Sequence, residues 1–149
     1  KERWQLYQAY LVIVYDKIKY NQAANPFLLS LPEHSKDKQG FNVAILIIQF
    51  FYFLKRKDIE ALVYRIESLK KYINTHLKDT FSLRSKLFLK LLILTVTEDF
   101  DVDSISKRGK KYFEKLSATP TPGDAYAEIE IVPYEHLWEL ILEELQKGH

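Results

Sequence analysis

Apolar residues recur along this chain at steps of three and four, the spacing of one face of an α-helix. Residues 41–54 (FNVAILIIQFFYFL) are the densest case. They run fourteen positions without a charge, broken only by Asn42, Gln49 and the polar tip of Tyr52. Crossing a bilayer takes about 20 apolar residues, so the run is too short for that. A helix apolar all round must instead be covered by neighbours, and the segment predicts a central buried helix. Lys55, Arg56 and Lys57 close it with the charge that the backbone dipole favours at a C-terminus.

The same period places the other helices. Over residues 2–20, Trp4, Tyr7, Leu11, Val14 and Ile18 form a stripe, widened by Leu6, Tyr10 and Tyr15. Asn21 to Pro26 ends that helix, since the residue before a proline avoids the helical region. Asp58 reads as an N-cap for a helix reaching Leu77, with Ile59, Leu62, Val63, Ile66, Leu69, Ile73 and Leu77 as its stripe. Glu67 and Lys71 stand in the favourable i,i+4 order along it. So short a connection predicts an antiparallel hairpin.

A second hairpin follows. Ser82 can cap a helix through Val96 that carries Leu83, Leu87, Phe88, Leu91, Leu92 and Leu94. A turn at 97–101 leads to a helix over 102–116 with Val102, Ile105, Tyr112, Phe113 and Leu116 inward. Gly109 falls on that stripe and predicts close approach of another helix, offsetting about 1 kcal/mol of propensity lost relative to alanine.

Residues 117–128, which open SATPTPGDAYA, read as an internal linker with two prolines and a glycine. Residues 133–147 read as a terminal helix with Pro133 just inside its start. Tyr134, Leu137, Trp138, Ile141, Leu142 and Leu145 form its apolar face, with Trp138 as anchor. Residues 27–31 and 128–132 suit short strands, and one minimal two-stranded pairing between them is the only β-structure expected. The fold class is therefore all-α, with antiparallel hairpins stacked in one helical domain over residues 1–149.

Two successive hairpins suggest a repeat in which each pair buries its face against the next. Lys57, Asp58, Ile59, Glu60, Ala61 and Leu62 resemble the turn and second-helix start of tetratricopeptide repeats, and Gln49 stands where such repeats place a small residue. The lead-in FLLSLPEHSKDKQGFNVAIL and the closing EIEIVPYEHLWELI are similar to the C-terminal region of uncharacterised bacterial tetratricopeptide-like proteins. The resemblance spans residues 27–145. It implies an α–α superhelix of about six helices and no known chemistry, so it carries over no catalytic residues.

Charge sharpens this picture. The 149 residues carry a net charge of only +2, so nothing demands a nucleic acid or an anionic membrane. Yet residues 1–123 hold 21 basic and 13 acidic groups, whereas residues 124–149 hold Lys147 against seven acids. Such a tail can dock on the basic body or repel competing anions, and docking is the leading expectation. Zero cysteine excludes a disulfide framework, a thiolate zinc site and a cysteine nucleophile, in keeping with a cytoplasmic location. The chain also lacks methionine and opens on Lys1, Glu2, Arg3 and Trp4 already in helical register. It is therefore expected to be the C-terminal part of a longer protein.

Candidate chemistry is sparse. Asp99, Phe100, Asp101, Val102, Asp103 and Ser104 mimic the opening of a calcium loop, but its required glycine and glutamate are here Ser104 and Lys110. An acidic cap at a helix start is the simpler reading. His34, His76, His136 and His149 have no metal-ligand partners at helical spacing, and no H-E-x-x-H motif occurs. Four scattered glycines build no phosphate loop, and no G-x-S-x-G elbow exists. No catalytic, cofactor-binding or metal residue is assigned, and no cofactor is implied. Tyr7, Tyr10, Tyr52, Tyr72 and Tyr112 are placed on helix–helix seams with their hydroxyls at the edge.

One candidate binding patch remains: Lys55, Arg56, Lys57, Lys70, Lys71, Lys107, Arg108, Lys110 and Lys111. Gathered on one face, these would bind phosphate with strong salt dependence. The leading functional expectation is a non-catalytic module that binds a protein or peptide partner. A nucleic-acid-binding regulator is second, and an enzyme whose site is assembled only by folding is third.

Overall fold

The computed structural model describes residues 2–15, 39–78, 82–121 and 130–147. Among the described residues the chain is all-helical, with α1 Glu2–Tyr15, α2 Gln39–Lys55, α3 Ile59–His76, α4 Leu83–Thr97, α5 Val102–Ala118 and α6 Tyr134–Lys147. No strand occurs among them. Glu130 takes no regular structure and Ile131 and Val132 form a bend, so the described part of the expected strand at 128–132 is not a strand, while 128–129 lie outside the described residues. The other half of the expected pairing, at 27–31, lies outside the described residues, as does the predicted end of the first helix beyond Tyr15. None of these helices is long and apolar enough to cross a membrane.

The two hairpins close by one device. The Asp58 N–H donates to the Phe53 carbonyl at 2.9 Å, and the Lys57 N–H to the Leu54 carbonyl at 3.0 Å. In the second hairpin Phe100 N–H donates to Thr95 at 2.9 Å and Asp99 N–H to Val96 at 3.0 Å. Each is a Schellman end, in which a left-handed residue lets the last carbonyls find donors. Those residues are Lys57 at φ 57° and Asp99 at φ 54°, the latter followed by a second left-handed residue, Phe100 at φ 61°, and none is glycine. An aspartate then starts each returning helix: Asp58 accepts from Ala61 N–H at 3.1 Å and Asp101 from Ser104 N–H at 3.0 Å. Turns this short reverse the chain, so α2 and α3 pack as antiparallel neighbours, and so do α4 and α5. Ser82 precedes α4 as expected, but its side chain makes no capping bond and is buried. Glu67 reaches Lys70 at 3.5 Å, one position short of the Lys71 partner its spacing suggested.

The core is organised around α2, as residues 41–54 predict. Every position from Asn42 to Phe51 is buried, Tyr52 and Phe53 are half-buried, and Leu54 is buried. Helices α1, α3, α4 and α6 all pack on it. The Gln49 carbonyl accepts from Arg65 Nη1 across the α2–α3 seam at 2.8 Å, and Arg65 lies 4.8 Å over the Phe53 ring. No buried side-chain nitrogen or oxygen among the described residues lacks a hydrogen-bond partner. Helix α4 is nearly as central: Leu87, Phe88, Leu89, Leu91 and Leu92 are all buried, on more than one side of the helix.

Helix α1 departs from its expected orientation. Leu6, Ala9, Tyr10, Ile13 and Val14 face the core, whereas Trp4 is 64% and Leu11 59% exposed. The cause is that α1 is apolar around most of its circumference. Periodicity then offers two competing stripes, and packing on α2 selects the one that brings the Tyr10 hydroxyl to the Ala44 carbonyl at 2.9 Å. Helix α3 shows a milder shift. Leu62, Ile66, Leu69, Ile73 and Leu77 are buried with Tyr72, while Ile59 and Val63 point outward beside the exposed Tyr64.

Candidate functional site

The most concentrated chemistry among the described residues lies where α6 begins. Arg84, in the first turn of α4, is 5% exposed. A buried guanidinium is tolerated only when its charge and donors are matched, and here they are. Nε donates to Glu130 Oε1 at 3.0 Å and Nη2 to Glu130 Oε2 at 2.7 Å, a two-pronged carboxylate contact. Nη2 also reaches Glu135 Oε1 at 2.5 Å, and Nη1 reaches Glu135 Oε2 at 3.1 Å. Nη1 further donates to the carbonyls of Leu116 at 2.8 Å and Thr119 at 2.9 Å, at the end of α5. A guanidinium has five N–H groups in a fixed fork, and these contacts occupy all of them.

Aromatic rings wall this cluster. Tyr134 lies beneath the Arg84 guanidinium at 5.7 Å, stacks on Phe88 with ring centroids 4.8 Å apart, and shares a 3.0 Å hydroxyl contact with Ser85. Its backbone N–H donates to Glu130 Oε2 at 2.9 Å, so the same carboxylate that holds Arg84 also caps α6. Burial opposes the Arg84 charge, but the hydrogen bonds and charges of Glu130 and Glu135 outweigh it and raise its pKa. The Arg84 hydrogen bond holds the Glu135 carboxyl below its ordinary range. Burial pushes the Tyr10 and Tyr134 hydroxyls up, and the Glu130 charge acts on both in the same direction. With every donor of Arg84 satisfied inside the chain, the cluster acts as a latch between helices.

Two further contacts seat α6. Gly109 is buried on α5, and a Cβ there would stand 3.0 Å from Leu91 Cδ2, 3.3 Å from Leu94 Cδ2 and 3.7 Å from Trp138 Cζ2. The close approach foreseen from its position is therefore real, and Trp138, 4% exposed, is one of the groups that uses it. At the far end of α6, Lys55 Nζ meets Glu144 Oε1 at 3.6 Å, with both side chains largely covered. The helix thus runs from the Arg84 end of the bundle to the α2–α3 turn, and its buried face is Tyr134, Leu137, Trp138, Ile141 and Leu145. Acid on the tail meets base on the body at both ends, as the charge division suggested.

The expected basic patch is distributed over three elements. Lys55, Arg56 and Lys57 sit at the α2–α3 turn, Lys70 and Lys71 about 20 Å further along α3 by helical rise, and Lys107, Arg108, Lys110 and Lys111 on α5. Several are engaged within the chain: Lys55 with Glu144, Lys70 with Glu67, Arg108 with Glu98 at 2.9 Å and Lys110 with Glu114 at 4.0 Å. Arg56 lies 5.3 Å over the Tyr52 ring. Asp101 acts as the cap of α5, and among the described residues no three His, Cys, Asp or Glu side chains gather as metal ligands. His76 packs on Tyr72 and His136 lies 3.7 Å from Glu139, while His34 and His149 lie outside the described residues. Arg84 carries no periodicity signal. The one available cue was a cation at the start of an apolar helix, where the dipole disfavours it and a buried partner is needed.

Compared with protein-family models, with curated proteins and with solved structures, the chain matches none.

Proposed function

We propose that this chain is a non-catalytic helical-repeat module that binds another protein. One observation carries the reading: the surface of α2, α4 and α5 is built to hold an amphipathic helix, and α6 lies on it. The two hairpins, each with a Schellman end and an aspartate cap, are in keeping with the repeat logic of a tetratricopeptide-like superhelix. The saturation of Arg84 and the pairing of several patch lysines and arginines favour recognition of a protein over phosphate chemistry. The test is capture with the purified chain as bait, followed by reciprocal capture and titration with the recovered partner. A stoichiometric, saturable complex is the expected result. Contradiction would come from finding no such partner while low-salt DNA or RNA binds in a salt-dependent manner.

A further inference from the structure

We infer that Arg65, at the edge of the α2–α3 seam, is a binding site for a carboxylate side chain of a partner protein, with Arg56 as a second cation on the same row of aromatic rings. The inference deepens the interaction-module reading and rests on it.

The site is built by α2 and α3 together. Arg65 lies 4.8 Å over the Phe53 ring, Phe53 meets Tyr52 edge-on with centroids 5.3 Å apart, and Arg56 lies 5.3 Å over Tyr52. These side chains form one row in which Tyr52, Phe53 and Arg65 are half-buried and Arg56 is exposed. Neither guanidinium has an ion-pair partner among the described residues. The Gln49 carbonyl, a neutral acceptor, takes an Nη1 hydrogen of Arg65 at 2.8 Å, and among the described residues it is the only hydrogen-bond partner of that side chain. A guanidinium carries five N–H groups, so most of the fork remains for a ligand. The contrast within the chain is Arg84, whose fork is saturated with the help of Glu130 and Glu135. Burial holds the Arg65 pKa below its ordinary value, opposed only by Tyr64. Its charge is thus partly stripped of water and has no counter-ion from the described residues.

The chemistry that fits is a carboxylate on a polypeptide. A guanidinium stacked on a ring keeps its N–H groups in its own plane, directed past the ring edge, where a carboxylate can meet them two-pronged. Each ring already carries an arginine on one face and the two rings meet edge-on, which makes a poor platform for the stacked bases of a single-stranded nucleic acid. The adjoining surface suits a protein. Tyr64 is 83% exposed, and tyrosine is favoured in protein interfaces. Ser68, one turn beyond Arg65, adds an exposed hydroxyl donor. Partial loss of water also strengthens a charge pair, so an acidic side chain gains more at Arg65 than at the exposed Lys107, Lys110 or Lys111.

The experiment follows the side-chain Nε–H resonances of Arg65 and Arg56 by NMR in the isotope-labelled complete chain. The probes are a short peptide alternating glutamate and leucine, its glutamine–leucine counterpart, inorganic phosphate and oligothymidylate. The glutamate peptide is expected to shift the Arg65 resonance saturably, together with the amides of Phe53 and Ser68, and the glutamine peptide to leave it in place. That comparison uses the unchanged chain and needs no variant. Arg65→Gln should abolish the saturable binding, and Arg65→Lys should weaken it ~10-fold because an ammonium lacks the planar fork. Circular dichroism checks that both variants stay helical. Absence of a saturable shift at Arg65, equal shifts by the two peptides, or tighter binding of phosphate or oligothymidylate at the same resonances would overturn the assignment. So would glutamate-peptide binding that survives Arg65→Gln. A captured partner that binds Arg65→Gln as well as the unchanged chain would overturn this site and leave the interaction-module reading standing. Failure to capture any partner while the glutamate peptide still shifts Arg65 would fall on that reading instead.

Discussion

Replacing Arg84 by alanine should destabilise the chain by about 3–5 kcal/mol, the usual cost of removing one partner from a buried ionic cluster. The magnitude follows from what is left behind. Glu130, with its side chain 8% exposed, and Glu135, at 31%, would face each other without their shared cation. The carbonyls of Leu116 and Thr119 would lose their donor as well. Arg84→Lys keeps the charge but not the planar fork, and should cost about 1–3 kcal/mol. Combining Arg84→Met with Glu130→Gln and Glu135→Gln should cost less than the sum of the single changes by at least ~1 kcal/mol, because no unpaired charge remains. Urea unfolding at pH 7, followed by circular dichroism, reads all of these. An Arg84→Ala cost below about 1 kcal/mol, or additive single and combined changes, would refute the latch.

Because Arg84 lowers the Glu135 pKa, the folded state binds that proton less readily than the unfolded chain. That contribution to stability is complete above the ordinary carboxyl pKa of 4.5 and is lost as pH falls through the depressed folded value. Arg84→Met should flatten this part of the acid limb, and an unchanged pH profile would contradict it. Trp138→Ala should cost about 3–5 kcal/mol, and a near-zero change in the urea midpoint would mean that α6 is not seated as described. Gly109→Ala gains about 1 kcal/mol of helix propensity yet should lower the melting temperature, because its Cβ would stand 3.0 Å from the fully buried Leu91. Lys57→Gly should stabilise by about 0.5–1 kcal/mol, since the left-handed φ of 57° is unstrained only for glycine; a loss of stability there would contradict the Schellman assignment.

Much of the architecture was legible because helix starts, helix stops and apolar density are local signals. Asp58 and Asp101 announce the returning helices by chemistry that needs no tertiary partner, and both cap as their positions suggest. Residues 41–54 announce a buried helix because fourteen positions without a charge leave no polar face. The face chosen by α1 was not legible, since Trp4 and Leu11 compete with Leu6, Ala9 and Ile13 and only the fit to α2 decides. Arg84 was not legible either. Its partners stand 46 and 51 residues away at Glu130 and Glu135, so no local pattern joins them. A run such as Lys107, Arg108, Lys110 and Lys111 draws attention through density, whereas a single buried charge acts through its surroundings. The acidic excess of residues 124–149 did point toward docking, and the structure supplies its two ends at Arg84 and Lys55.

Helix α6 is a docked helix on a surface that α2, α4 and α5 build. Native-state hydrogen exchange in increasing urea tests this most directly, because it separates sub-global openings from whole-chain unfolding. Amides of Tyr134–Lys147 should exchange together through an opening of lower free energy than those of α2 and α4. Arg84→Lys should lower the α6 opening free energy most. Identical opening free energies for α2, α4 and α6, falling together in the variant, would contradict it and make α6 an inseparable part of one cooperative core.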